Sequence, residues 1–181
     1  MMPLMTERCV LTPLSMKHLP TMVKLYRNAE VREYLGGITT IEEVKEQMEN
    51  MLMNLSSYYW IVSEKHTHHH LGFIALTPHH CEADIEISYQ FFPDGWGKGY
   101  ARETIHEVLV FAFSNLNEQK VVAETQVANK RSCQLLEKLG FTIDCYIDRF
   151  GARQVIYKFE KSLSCKVFAR NTSPLKEGND R

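Results

Sequence analysis

Gly95, Gly97 and Gly99 stand at alternate positions in the run Pro93 to Arg102, Pro-Asp-Gly-Trp-Gly-Lys-Gly-Tyr-Ala-Arg, with Lys98 and Arg102 beside them. Directly after the run, Ala101, Ile105, Val108, Leu109, Ala112 and Leu116 recur at helical spacing. The glycines therefore lead into a helix N-terminus, whose unpaired N–H groups and positive dipole end attract an anion. Glycine leaves no side chain between those N–H groups and an anion's oxygens, so this loop suits a phosphate. The bland alternative is an ordinary strand-to-helix turn. Spacing excludes the two common nucleotide loops. A Walker loop closes on Gly-Lys-Ser/Thr, whereas Gly97-Lys98 is followed by Gly99. A dinucleotide fingerprint needs a third glycine after a two-residue gap, where Tyr100 and Arg102 stand.

Other reactive residues are scattered. In Asp84-Ile-Glu-Ile-Ser-Tyr-Gln-Phe, Ile85, Ile87, Tyr89 and Phe91 share one face of a strand, leaving Asp84, Glu86, Ser88 and Gln90 on the other. A carboxylate placed like Glu86 is a general base if it faces a cleft, and a solvated group if it does not. Cys133 lies in a short helical run, where an inert thiol is the commoner case than a nucleophile. Histidines cluster as His66, His68, His69, His70, His79 and His80. Strand alternation puts His68 and His70 on one face, but no cysteine or carboxylate is spaced to complete a tetrahedral zinc site, so no metal is expected.

These groups must be positioned by the rest of the chain. Its 181 residues fit one domain with an ordinary core. A net charge of -1, with both signs interspersed, gives no general pull toward nucleic acid or a membrane. Five cysteines, Cys9, Cys81, Cys133, Cys145 and Cys165, form no Cys-x-x-Cys pair and suit reduced thiols. Neither a basic-then-apolar leader nor a bilayer-length apolar run is visible, and a cytoplasmic protein is expected.

The pattern predicts a first strand over Thr6 to Leu14 and a helix capped by Ser15 with Leu19, Met22, Val23 and Tyr26 on one face. Thr40 with Glu43 forms a capping box ahead of Val44, Met48, Met51, Leu52 and Leu55. Tyr58 to Ser63, Leu71 to Leu76 and Ala83 to Phe92 read as an antiparallel meander. After the glycine loop and its helix come a strand over Lys120 to Val127, a helix over Asn129 to Leu139 ended by Gly140, and strands Thr142 to Phe150 and Arg153 to Phe159 split by Gly151. Residues 1–161 form the domain. The tail 162–181 lacks an apolar period and is expected to be mobile.

This order of elements, with the phosphate loop after the fourth strand, resembles the GNAT acyltransferase fold. Trp96-Gly-Lys-Gly-Tyr-Ala101 looks like the family's acetyl-CoA loop, with Trp96 in place of the usual Arg or Gln. The opening Thr6-Glu-Arg-Cys-Val-Leu-Thr-Pro-Leu, the segment Phe92 to Ala101 and Asn129-Lys-Arg-Ser-Cys-Gln-Leu-Leu-Glu-Lys-Leu-Gly-Phe141 resemble the RimJ/RimL branch, whose known members acetylate N-terminal amines of ribosomal proteins. The resemblance covers roughly the first 160 residues. It implies a mixed α/β (α+β) fold: a mostly antiparallel sheet of about seven strands flanked by about four helices, with the fourth and fifth strands splayed.

By the same resemblance, the pantetheine arm of acetyl-CoA adds to the edge of the fourth strand at the backbone of Phe91 and Phe92. The pyrophosphate lies on N–H groups of Gly97, Lys98, Gly99, Tyr100, Ala101 and Arg102. Asn129 and Ser132 contact the cofactor. Glu86 is the leading catalytic carboxylate, ahead of Asp84 and Asp148. The family's tyrosine that protonates the departing thiolate has Leu136 in its slot here, which leaves Ser132 as a hydrogen-bond donor. The implied activity is direct acetyl transfer to an amine, with a protein N-terminus as leading acceptor and polyamines, aminoglycosides and a non-catalytic acetyl-CoA sensor as rivals. Acceptor contacts are expected from Tyr26 to Gly37 and Tyr146 to Arg153. A monomer or homodimer without nucleic-acid or membrane partners completes the expectation.

Overall fold

Pro20 at the second residue of helix α1 (Leu19–Tyr26), and the reciprocal Thr40–Glu43 box ahead of α3 (Ile41–Met53), set the first two long helical segments. In that box Glu43 N–H donates to Thr40 Oγ1 at 3.2 Å and Thr40 N–H to Glu43 Oε2 at 2.8 Å. Between them lies α2 (Ala29–Arg32), four residues long and capped by Asn28, which accepts from Val31 N–H at 3.0 Å. The computed structural model describes residues 2–80 and 84–161. Cys81, Ala83, Cys165 and the tail expected to be mobile lie outside the described residues.

The strands are β1 (Leu4–Met5), β2 (Cys9–Pro13), β3 (Tyr58–Glu64), β4 (His70–Pro78), β5 (Ile85–Phe91), β6 (Lys120–Gln126), β7 (Thr142–Arg149) and β8 (Ala152–Glu160). Helices α4 (Tyr100–Ser114) and α5 (Lys130–Leu139) flank β6 in sequence. Among the described residues the sheet therefore has eight strands where about seven were expected, and there are five α-helices where about four were expected. The additions, β1 and α2, are too short to show a period of 2.0 or 3.6 residues. Ser15 opens a 3-10 turn, Met16–His18, before α1 rather than capping α1 itself.

Sheet order is β1-β2-β3-β4-β5-β6-β8-β7, antiparallel throughout except for the parallel pair β5 and β6. Seven register positions join β4 to β5 and seven join β6 to β8, but only Ile85↔Val121 and Glu86↔Val122 join β5 to β6. Beyond those two the strands part, and this is the splay expected of the fourth and fifth strands. The core follows the alternation. Ile85, Ile87 and Phe91 of β5, Val121 and Ala123 of β6, and Leu136 and Leu139 of α5 pack with α4 on one face. Tyr59, Ile61, Phe73 and Ala75 pack with Met22, Leu25, Val44 and Met48 from the helices on the other. Truncating a fully buried one such as Leu25, Met48 or Ile61 to Ala costs about 2–5 kcal/mol.

Two glycine-dependent details shape the split. A Cβ at Gly72 would meet Gln90 O at 2.3 Å, so only glycine lets β4 lie this close to the end of β5. The β7–β8 hairpin turns through Phe150 (φ 55) and Gly151 (φ 73), the paired positive dihedrals of a tight two-residue hairpin. β7 is an outer strand and mostly exposed.

Candidate active site

The glycine loop is held from below. Gly97 (φ 73) and Gly99 (φ 84) adopt left-handed backbone, and Gly99 is the residue before the first turn of α4. Gly97, Lys98 and Gly99 are exposed, and the first-turn amides of α4 have no intrahelical acceptor. Arg8 fixes the loop: its guanidinium donates to Lys98 O at 3.0 Å and to Glu103 Oε2 at 2.7 Å, and lies 4.6 Å over the Tyr100 ring. Tyr100 in turn donates to Glu64 at 2.7 Å. Arg8, Glu64 and Glu103 are supports that sequence reasoning missed. Their positions, 39 to 95 residues apart, carry no local signal.

Trp96 stands at the head of the loop and the edge of the split. Its Nε1–H donates to Phe91 O at 2.8 Å, and the Arg131 guanidinium lies 4.6 Å over its ring. The backbone groups of β5 sort by alternation. Phe92 N–H donates to Leu71 O at 2.9 Å and His79 N–H to Asp84 O at 2.8 Å, so even-numbered residues face β4. Odd-numbered Ile87, Tyr89 and Phe91 turn their N–H and C=O groups toward the opened side. This separates the two residues expected to meet pantetheine. Both backbone groups of Phe92 already bond protein, the carbonyl accepting from Gly95 N–H at 3.0 Å, and Trp96 claims the Phe91 carbonyl, so the opened edge is left to the Phe91 N–H and the odd residues before it.

Across the split, Asn129 caps α5 by accepting from Ser132 N–H at 3.1 Å. Ser132 Oγ lies 2.9 Å from Tyr89 Oη, a hydroxyl pair joining β5 to α5 over the gap. Burial pushes the Tyr89 phenol well above its usual range, with Ser132 opposing. The alternation predicts an apolar face for Tyr89, and its ring does pack against that core. The hydroxyl's partner is decided only when α5 docks. Leu136 is 1 % exposed and turned into the core. Cys133 is half-buried, its thiol 3.9 Å from Gln126 O.

Glu86 projects from the opposite face. Burial pushes its carboxyl up to about 7; the charge of Glu124 adds to this, while Arg149 and a hydrogen bond from the Glu124 backbone oppose it. Glu124 is itself forked to Arg149, with Arg149 Nε–H donating to Oε1 at 2.7 Å and Nη2 to Oε2. His79 Nε2 lies 3.7 Å from Glu124 Oε2. Asp84, the first alternative to Glu86, is tied to Lys120 at 2.8 Å, and Asp148 is exposed on the hairpin.

The histidines divide. His68 has φ 58 in the β3–β4 turn, so strand alternation does not apply to it, and His69 meets Asp94 at 3.0 Å on the surface. His79 is instead 3 % exposed rather than part of a solvated hairpin. Ligand-type atoms of His79, His80 and Glu124 lie within 4.8 Å of one another, but Glu124 gives both oxygens to Arg149, so the group is an ion-pair cluster around an acid.

The described residues thus form a sheet opened between two parallel strands, with a glycine loop leading into a helix N-terminus at its mouth and a half-buried carboxylate on one face. Residues 8–142 match the acetyltransferase (GNAT) domain, and the chain belongs to that family. It is similar to a Bacillus subtilis protein described as uncharacterized N-acetyltransferase YoaA, 29% identical over 146 residues, covering 75% of this chain and 80% of the relative. Among solved structures, a GNAT-family acetyltransferase from Bacillus anthracis superposes with a TM-score of 0.78 at 21% identity, covering 89% of this chain and 99% of the other. A spermidine N-acetyltransferase from Vibrio cholerae, in complex with CoA and spermine, gives 0.74 at 20% identity, covering 86% and 96%. The chain is an acetyl-CoA-dependent N-acetyltransferase. Among the described residues, no helix is long and apolar enough to cross a membrane.

Proposed function

We propose that this enzyme transfers acetyl directly from acetyl-CoA to the N-terminal amine of a protein or peptide, in the manner of the RimJ/RimL branch, within the cytoplasm. The supporting observation is Glu86, half-buried on β5 at the split and with its carboxyl poised at about 7. Acetyl-CoA lays its pyrophosphate on the amides from Gly97 to Arg102, and its pantetheine arm along the odd-residue edge of β5 ending at Phe91. Asn129 and Ser132 lie on the far side of that arm. The acceptor enters on the helical face, between the segments Tyr26 to Gly37 and Tyr146 to Arg153. Residues 1–161 carry the whole activity.

The chemistry then balances without a covalent enzyme intermediate. Glu86 takes a proton from the ammonium, the free amine attacks the thioester carbon, the C–S bond breaks as the C–N bond forms, and the second proton that the nitrogen sheds in becoming an amide passes to the departing thiolate. The thiolate meets the hydroxyl pair of Tyr89 and Ser132, a donor that Leu136 cannot supply. Neighbouring carboxylates are matched by cations, Asp84 by Lys120 and Glu124 by Arg149. That favours an acceptor with one ammonium at the reacting end over a polyamine, which needs further free carboxylates. The likeness to a spermidine acetyltransferase keeps a small-molecule amine as the second reading.

The test is thiol release from acetyl-CoA with a panel of N-terminal peptides, spermidine and an aminoglycoside. Turnover is expected with peptides first. Turnover only with spermidine or the aminoglycoside moves the acceptor to small molecules. No release above background with any amine would sink the enzyme reading in favour of a binding-only sensor.

A further inference from the structure

Glu86 does not stand alone, because the residue that controls it comes from another strand. The register Glu86↔Val122 sets Glu124 two residues further along β6 and on the same face, and the Glu124 backbone N–H reaches the Glu86 carboxylate. The Glu124 side chain is 7% exposed and is gripped by both prongs of Arg149, with His79 on its other side. Arg149 closes β7 at the hairpin, and its backbone is held by Gln154 of β8, whose Nε2–H donates to Arg149 O at 3.2 Å. Four residues from four parts of the chain, Glu86, His79, Arg149 and Glu124 itself, thus meet at the Glu124 carboxylate.

We propose that Glu124 is the positioning residue for Glu86, and that Arg149, delivered by the β7–β8 hairpin, sets the protonation of Glu86 through it. The proposal rests on the reading of Glu86 as general base. Its physical content is a balance of two opposed charges held near a third group in a half-buried site, where screening by water is weak. The Glu124 carboxylate disfavours ionisation of Glu86, and the Arg149 guanidinium favours it. Among the described residues, the other charged and titratable groups on this side are His79 and His80 after β4, the Asp84–Lys120 pair at the start of β5 and β6, and Tyr26 with Arg32 from α1 and α2. Burial lowers the His79 imidazole from its usual range, and the charge of His80 adds to that. Because the hairpin is also where the acceptor is expected, the device ties the base to the part of the molecule nearest the substrate.

The experiment compares the acidic limb of the kcat/KM profile in the wild type, Glu86→Gln, Glu124→Gln and Arg149→Met. The acceptor amine titrates identically in every arm, so differences between limbs belong to the enzyme. Glu124→Gln removes the negative charge and leaves Arg149 free, so the limb should move down by about one pH unit. Arg149→Met leaves Glu124 unbalanced, so the limb should move up by about the same amount. Opposite shifts from the two halves of one ion pair are not what a merely structural role gives. If Arg149→Met does not fold, Arg149→Lys is read instead. It keeps the charge but loses the fork, and its limb should rise by a smaller amount. Limbs that stay at the wild-type position, or move in the same direction, overturn the inference while a dead Glu86→Gln leaves the general base intact. A Glu86→Gln enzyme that keeps wild-type turnover overturns the general base and this inference with it.

Discussion

The two sides of the β5–β6 split are built by opposite means. On the loop side, the proposed recognition is a backbone property: left-handed Gly97 and Gly99 and the N-terminus of α4 come from ten consecutive residues. On the Glu86 side, chemistry is a side-chain property, assembled from β5, β6, β7 and the residue after β4. The first needs an open surface, since the carrier's phosphates must enter and leave. The second needs burial, since only partial dehydration lifts a carboxylate from its ordinary range to about 7. Under the proposed function, the first governs carrier affinity and the second the rate, so the two are expected to break separately.

The largest expected effect is on the rate side. Glu86→Gln should lower kcat about 100- to 1,000-fold, the usual size of a lost general base, with acetyl-CoA affinity by calorimetry unchanged. If affinity falls and kcat does not, the division between the two sides is wrong. The wild-type kcat/KM should itself rise as pH increases through about 7, because Glu86 must be ionised to accept a proton.

Next comes the cradle. Gly99 has φ 84, and an added Cβ would lie 3.3 Å from the Arg8 guanidinium. Gly99→Ala should weaken acetyl-CoA about tenfold, from roughly 1–2 kcal/mol of left-handed strain, while kcat at saturating acetyl-CoA stays near wild type. Measuring KM and kcat separately checks it.

A smaller effect tests the bridge between the sides. Tyr89→Phe removes the hydroxyl partner of Ser132 and should lower kcat about three- to tenfold, the size of one hydrogen bond at the departing sulfur. Carrier thioesters with more acidic leaving thiols should shrink that deficit. A deficit independent of the leaving thiol would assign Tyr89 to packing alone. The smallest effect is Asn129→Ala, which deletes the α5 cap for about 1 kcal/mol. A thermal melt should show a loss of about 2–4 °C for a domain of this size.

Much of this was legible in the sequence, and unevenly so. The cradle could be read because its physics is local, resting on glycines, a helical period and a following cap at Asn129. Glu86 could be placed on the polar face of its strand by alternation, and the splay at β5 and β6 came from a family resemblance that the fold then displayed. Phe91 and Phe92 looked equivalent, and separated only when hydrogen bonds to Leu71 and Gly95 claimed the second. His79 read as one of several surface histidines, because burial next to Glu124 depends on β6 lying alongside.

By itself the sequence determined the order of the longer strands and helices, the glycine loop at a helix N-terminus, and the polar face of the strand that carries Glu86. These depend on neighbours within a few residues, where glycine dihedrals, caps and periodicity act. Only the tertiary structure decided that Arg8 braces the loop, that Tyr89 meets Ser132, and that Glu86 answers to Glu124 and Arg149. Those contacts join residues 25 to 95 positions apart, and their energies come from burial and charge, which exist only once the sheet has closed around them.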